Sequence, residues 1–148
     1  MSQPGRALGV DLGSVRIGLA LSDPTRTVAS PYDVLARGRE HAADHAAIVA
    51  LARANEVTTI VVGLPRSLSG GLGPAARAAE GEIAEIRAVA APDIEVVAHD
   101  ERLTTVTAER ALDEARVDRR TRTAVVDKVA AAVMLQSWIE SRAATHAR

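Results

Sequence analysis

Leu8-Gly9-Val10-Asp11-Leu12-Gly13-Ser14-Val15-Arg16-Ile17-Gly18-Leu19-Ala20-Leu21-Ser22 is the stretch on which the reading of this chain turns. Two apolar runs flank Gly13-Ser14, so it reads as two strands joined by a tight turn. Glycines at 13 and 18 allow that turn and a close approach of backbone, because they carry no Cβ. One carboxylate, Asp11, sits among Leu, Val and Gly and reads as mid-strand. Burying such a charge is costly unless it is paired or coordinated. The rest of the chain must supply what offsets that cost.

Working outward, Thr27 to Leu35 reads as a third strand, preceded by the turn Asp23-Pro24-Thr25-Arg26. Pro31 places it at a sheet edge or a bulge. Connections this short make the three strands an antiparallel meander. Residues 40–55 switch to helical periodicity, with Ile48, Val49, Leu51 and Ala52 on one side. Thr58 to Pro65 is a β-branched run, the signature of a buried parallel strand. A Gly/Ser-rich loop over 67–73 leads to Pro74, well suited to open a helix. That helix repeats Ala79, Ile83, Ile86 and Ala90 and breaks at Pro92-Asp93. Ile94 to Ala98 reads as a fifth strand, buried on both faces, followed directly by His99-Asp100-Glu101-Arg102. A helix capped by Thr104 or Thr105 runs to Ala115, Arg116 to Arg122 reads as a polar connector, and a last apolar helix spans 123–142. Three antiparallel strands and two helical crossovers imply an α/β architecture, a mixed five-stranded sheet with helices on its faces.

Composition narrows the chemistry. A chain of 148 residues is expected to form one domain with a real core. Cysteine is absent, which excludes disulfides, zinc–thiolate sites and cysteine nucleophiles and fits a reducing compartment. No apolar run approaches the ~20 residues of a membrane span, and the first residues carry no signal-peptide core, so a cytoplasmic location is expected. Tyr32 and Trp138 are the only aromatics, a poor supply for recognition by base stacking. Net charge is −1, yet Arg116, Arg119, Arg120 and Arg122 cluster in one short segment. Such a local patch serves phosphate binding where net charge does not advertise it, or is simply a solvated connector.

Three sets of acids stand out: Asp11 in the first strand, Asp100 and Glu101 at the carboxyl end of the fifth, and Asp127 in the last helix. Open α/β sheets place their ligand sites at such strand ends. Asp127 shares a helical face with Ala130, Ala131, Met134 and Trp138, small or apolar neighbours that leave room beside it. Singly, each acid has an ordinary structural reading, as a turn acid or an arginine partner. Together they repel one another, and a divalent cation relieves that repulsion. Oxygen-only ligands favour Mg²⁺ or Mn²⁺.

A strand Asp, a strand-end Glu and a helix Asp on a sheet of this topology resemble the site of the ribonuclease-H-like superfamily. Four segments narrow the resemblance to the YqgF/RuvX family, the RuvC-like group described as Holliday junction resolvases and as pre-16S rRNA nucleases. They are Val10-Asp11-Leu12-Gly13 with Arg16-Ile17-Gly18, then Val62-Gly63-Leu64-Pro65, then Asp100-Glu101-Arg102-Leu103-Thr104-Thr105, then Val126-Asp127-Lys128-Val129-Ala130-Ala131 through Leu135-Gln136-Ser137. The loop after Pro65 departs from the family's Asn- and Asp-bearing pattern, reading Arg66-Ser67-Leu68-Ser69-Gly70-Gly71.

The resemblance implies metal-dependent phosphodiester hydrolysis with two Mg²⁺ or Mn²⁺ ions. Asp11 would bridge them, with Glu101 and Asp127 each holding one and Asp100 the rival of Glu101. Arg16, Arg102, Arg119, Arg120 and Arg122 are the candidates for phosphate contacts. The implied partner is nucleic acid, either precursor 16S rRNA or branched DNA. A homodimer is the form that junction cleavage would need, and no membrane partner is expected. Two other readings stay open: a nucleic-acid-binding factor with little catalysis, and an actin-like ATPase, whose first strand also reads DxGxxxxG but which needs two domains.

Overall fold

The computed structural model describes residues 4–64, 73–100 and 119–146; the side chains of Ala75, Asp100, 119–125 and 144–146 lie outside that description. Five strands, β1 (Arg6–Leu12), β2 (Arg16–Ser22), β3 (Ala29–Ala36), β4 (Val57–Leu64) and β5 (Glu95–Asp100), form one sheet in the order β3-β2-β1-β4-β5. Among the described residues three helices accompany it: α1 (His41–Ala54), α2 (Pro74–Ala90) and α3 (Arg119–His146).

The topology follows from connection lengths. Short turns make β1–β2 and β2–β3 antiparallel, while β4 and β5, each reached through a helix, pair parallel. In the turn before β3 the Asp23 carboxylate accepts the amides of Thr27 at 2.7 Å and Val28 at 2.9 Å. Those hydrogen bonds, with that from the Thr25 hydroxyl, hold its carboxyl well below the usual range. β3 is an edge strand with a bulge where the pairing jumps from Asp33 to Pro31, as Pro31 requires. Pro74 occupies the first position of α2.

Strand alternation divides the core between two faces. Leu8 and Val10 of β1, Ile60 and Val62 of β4 and Val96 of β5 pack against Ile48, Val49 and Ala52 of α1 and Ile83 and Ile86 of α2. On the other face Ala7, Ala20 and Val61 meet Ala131, Met134, Leu135, Trp138 and Ile139 of α3. Helix α3 lies unusually close to the sheet because β1 and β2 present small residues to it. A Cβ on Gly9 would stand 2.9 Å from the Leu135 Cβ. The Gln136 side chain clamps the start of β3, accepting from the Ala29 amide at 2.8 Å and donating to the Thr27 carbonyl at 3.1 Å.

Four sequence expectations are corrected here. Asp11 is the penultimate residue of β1 and half-buried, so its burial cost is smaller than a mid-strand position implies. β5 is an edge strand and is not buried on both faces: Val96 is buried, Val97 and His99 are half-buried, and Glu95 and Ala98 are exposed. The last helix is already formed at Arg119, so Arg119, Arg120 and Arg122 belong to its first turns and not to a connector, and it continues to His146. The third strand begins at Ala29, not Thr27. The expected helix to Ala115 and the Gly/Ser loop lie outside the described residues. Among the described residues no helix is long and apolar enough to cross a membrane.

Candidate active site

Asp11 and Asp127 meet through a glycine. In the β1–β2 ladder Asp11 stands opposite Gly18, and directly paired residues project to the same face of a sheet. That face is the one α3 covers, because a Cβ on Gly18 would run into the carbonyl oxygen of Asp127. The backbone of Asp127 therefore rests on β2 at the position paired with Asp11. Any side chain at 18 would lift this turn of α3 away from the strand. The two acids, 116 positions apart in the sequence, converge because small residues let the helix sit down on the sheet.

Arg16, at the start of β2 just beyond the turn from Asp11, joins them. Its Nε donates to Asp127 Oδ2 at 2.6 Å, with side-chain exposures of 36% and 25%. Asp127 is thus an arginine partner in this structure, one of the readings open from sequence. A half-exposed pair of this kind contributes little to stability, because solvent screens it and competes for both groups. Arg16 neutralises Asp127 and is more exposed than its partner.

The third acid comes from β5. Asp100 is its last residue and ends in parallel register with Leu64 of β4, while Glu101 and Arg102 lie outside the described residues. Val97 packs on the α3 face, and His99 Nε2 lies 3.1 Å from Ser137 Oγ of α3. Odd-numbered positions of β5 are therefore the ones on the Asp127 side. Among the described residues no three His, Cys, Asp or Glu side chains form a metal-binding group. The two acids that do converge fit a hard cation: they offer carboxylate oxygens, and the pair that Asp127 makes with Arg16 is partly exposed.

Behind the β1–β2 turn lies a charged network that the sequence expectations do not include. The Arg37 guanidinium makes a two-pronged contact to Glu82 of α2, at 2.7 and 2.8 Å, and reaches Asp44 of α1 at 3.4 Å. His45, fully buried, has Nε2 2.8 Å from Glu82 Oε1 and Nδ1 3.1 Å from Glu85. Burial pushes the Glu82 carboxyl up, but the hydrogen bonds from Arg37 and His45 outweigh it and bring it down to about 2. A signal was present: His45 precedes Ile48 and Val49 by three and four residues, on the apolar face of α1, and Glu82 adjoins Ile83. Trp138 is buried beneath Arg26 and Arg142, 5.4 and 5.2 Å from its ring centre, so it is packing material and not a platform for bases.

The chain is similar to known proteins over nearly its whole length. A protein described as "Putative pre-16S rRNA nuclease" from Kineococcus radiotolerans is 47% identical over 146 residues, covering 98% of this chain and 77% of the relative. One of the same description from Roseiflexus sp. is 40% identical over 141 residues, covering 95% and 98%. Among solved structures, Thermus thermophilus RuvC in complex with Holliday junction substrate superposes with a TM-score of 0.59, covering 95% of this chain and 97% of the other. At 17% identity that likeness concerns the fold, which is ribonuclease-H-like. The profile described as "RuvX: Holliday junction resolvase" matches residues 5–141; with the fold and the paired acids of β1 and α3 in place, the chain belongs to the RuvX family.

Proposed function

We propose that this protein is a metal-dependent nuclease that hydrolyses phosphodiester bonds at the carboxyl end of β1, with residues 1–148 acting as one domain. The observation that carries the reading is the convergence of Asp11 and Asp127 across Gly18. Asp11 and Asp127 are two of its metal ligands, and Glu101 is the third. The parity of β5, with Val97 and His99 toward α3, favours Glu101 over Asp100. When bound, two Mg²⁺ or Mn²⁺ ions lower the pKa of water and neutralise charge on the reacting phosphate. The chain's own part is to hold Asp11 on a strand and Asp127 on a helix packed against it, so that their geometry is set before substrate arrives. Arg16 releases Asp127 and turns to the phosphate backbone. Arg102, Arg119, Arg120 and Arg122 extend that contact along the substrate.

The substrate we propose is precursor 16S rRNA, cut near its 5′ end in the cytoplasm. The support is the shared description of relatives 40–47% identical over nearly the whole chain. A chain with two aromatics, one of them the buried Trp138, also suits reading of shape and backbone better than base stacking. A second reading, cleavage of branched DNA, is favoured by the description of the family profile and the fold shared with a junction-bound RuvC. That reaction requires a two-fold dimer to cut two strands symmetrically. The test incubates the purified protein with a precursor-16S 5′ leader RNA and with a four-way DNA junction, each with Mg²⁺ or Mn²⁺, beside Asp11→Asn. Metal-dependent cleavage of the RNA by wild type alone is expected. Junction cleavage without RNA cleavage would move the assignment to the second reading. Equal cleavage by Asp11→Asn would remove Asp11 from the site, and RNA binding without cleavage would make the protein a binding factor.

A further inference from the structure

The β1–β2 turn carries Asp11 on one side and Arg16 on the other, and one residue from outside the hairpin holds both of its arms. Arg37 follows β3 directly. Its backbone amide donates to the Val15 carbonyl at 2.9 Å, and its Nε donates to the Gly13 carbonyl, also at 2.9 Å. The Gly13 amide in turn donates to the Asp11 carbonyl at 3.1 Å. Hydrogen bonds at the two successive peptide groups of Gly13 thus link the Asp11 backbone to the Arg37 guanidinium. The two remaining nitrogens of that guanidinium end on Glu82, itself held by His45, and Asp44 also accepts the Gly38 amide at 2.9 Å.

The placement matters because the turn has little else behind it. A cleft of about 380 Å³ opens on this side of the hairpin, lined by Leu12, Gly13, Ser14, Arg37, His41 and Glu82 among others. Arg37 bridges it, with only 11% of its side chain exposed. All of these groups lie on the α1/α2 side of the sheet, away from the face that carries Asp11 and Asp127, so Arg37 supports the site from behind. Resting on the nuclease reading above, we infer that Arg37 is a positioning residue for the metal site: by tying Gly13 and Val15 to α2 through Glu82, it fixes where β1 presents Asp11 and where β2 begins with Arg16. Lysine cannot replace it. An ammonium is a point charge without the planar fork, and it cannot donate to Gly13 and grip both Glu82 oxygens at once. Supporting groups of this kind typically change metal affinity or activity by about 10–100-fold when removed.

The test compares full-length wild type, Arg37→Lys, Glu82→Gln and Asp11→Asn. Binding of Mn²⁺ alone is followed by the electron paramagnetic resonance of the free ion, and amide hydrogen exchange is read over Gly13 to Arg16. The expected result for Arg37→Lys is an affinity for Mn²⁺ lower by about tenfold, with exchange faster in the turn but unchanged in β4, and kcat lowered without a matching change in KM. Glu82→Gln, which preserves shape, shows the same pattern more weakly. Wild-type Mn²⁺ affinity in Arg37→Lys alongside a loss in Asp11→Asn overturns the role of Arg37 and leaves the site intact. Equal affinity in all four proteins overturns the site reading on which it rests. Faster exchange spread evenly over the sheet also overturns the inference, since it marks general loosening.

Discussion

At Gly18 the backbone of α3 fills the place of a side chain, and its replacement is a direct probe of how the site is assembled. Alanine in a strand is ordinarily better than glycine, but here the added methyl meets backbone, which cannot rotate away. Gly18→Ala is expected to destabilise the protein by about 1–3 kcal/mol, the usual cost of overpacking, read from the urea midpoint. A midpoint equal to wild type would show that α3 is not held so tightly on β2. Asp127 behaves in the opposite way. Its pair with Arg16 is half-exposed, so Asp127→Asn is expected to change stability by less than about 1 kcal/mol while abolishing metal-dependent cleavage. A large loss of stability would make Asp127 a structural acid.

At the scale of elements, the Arg37–Glu82–His45 network joins the hairpin turn to α1 and α2, and it makes a prediction about acid. The folded-state carboxyl of Glu82 titrates at about 2, below the ordinary glutamate value of 4.5. Its ionised form therefore stabilises the fold fully above 4.5, and that contribution is lost as pH falls from 4.5 toward about 2. Denaturant unfolding of wild type and Glu82→Gln across this range is expected to show the wild type's advantage shrinking with acid. An advantage independent of pH would mean that the ion pair is not its source. The sequence at this scale disclosed periodicities and therefore elements. It could not disclose that His45 and Glu82, on different helices, share one buried cluster with Arg37, because such a cluster depends on how α1 and α2 cross the sheet.

At the scale of the whole molecule, a net charge of −1 gives no general attraction for nucleic acid, so binding must rest on locally placed arginines. Arg119 and Arg120 open α3, the helix that carries Asp127, which puts their backbone within two to three turns of the acidic pair. Replacing both with glutamine is expected to weaken RNA binding about equally across sequences. It should also reduce the slope of log affinity against log salt by about one for each phosphate no longer neutralised. Fluorescence anisotropy over a salt series measures this, and an unchanged slope would leave those arginines as solvated helix surface.

The amino-acid sequence by itself determined the order of the described strands and helices and the mixed sheet, and it singled out the acids on which the proposed site rests. Those follow from local terms: hydrophobic period, turn residues and connection length, each legible within a dozen residues. Asp11 and Asp127 could be named from their surroundings because a carboxylate among apolar neighbours is costly wherever the chain takes it. Their meeting was decided only by tertiary structure. It depends on the register that sets Asp11 opposite Gly18 and on the missing side chain there that admits the Asp127 backbone. The pairing of Arg16 with Asp127 and the support of the turn by Arg37 belong to the same level. These interactions join residues 111 and 24 positions apart, respectively, and no local pattern records a distance that the packing of a helix on a sheet creates.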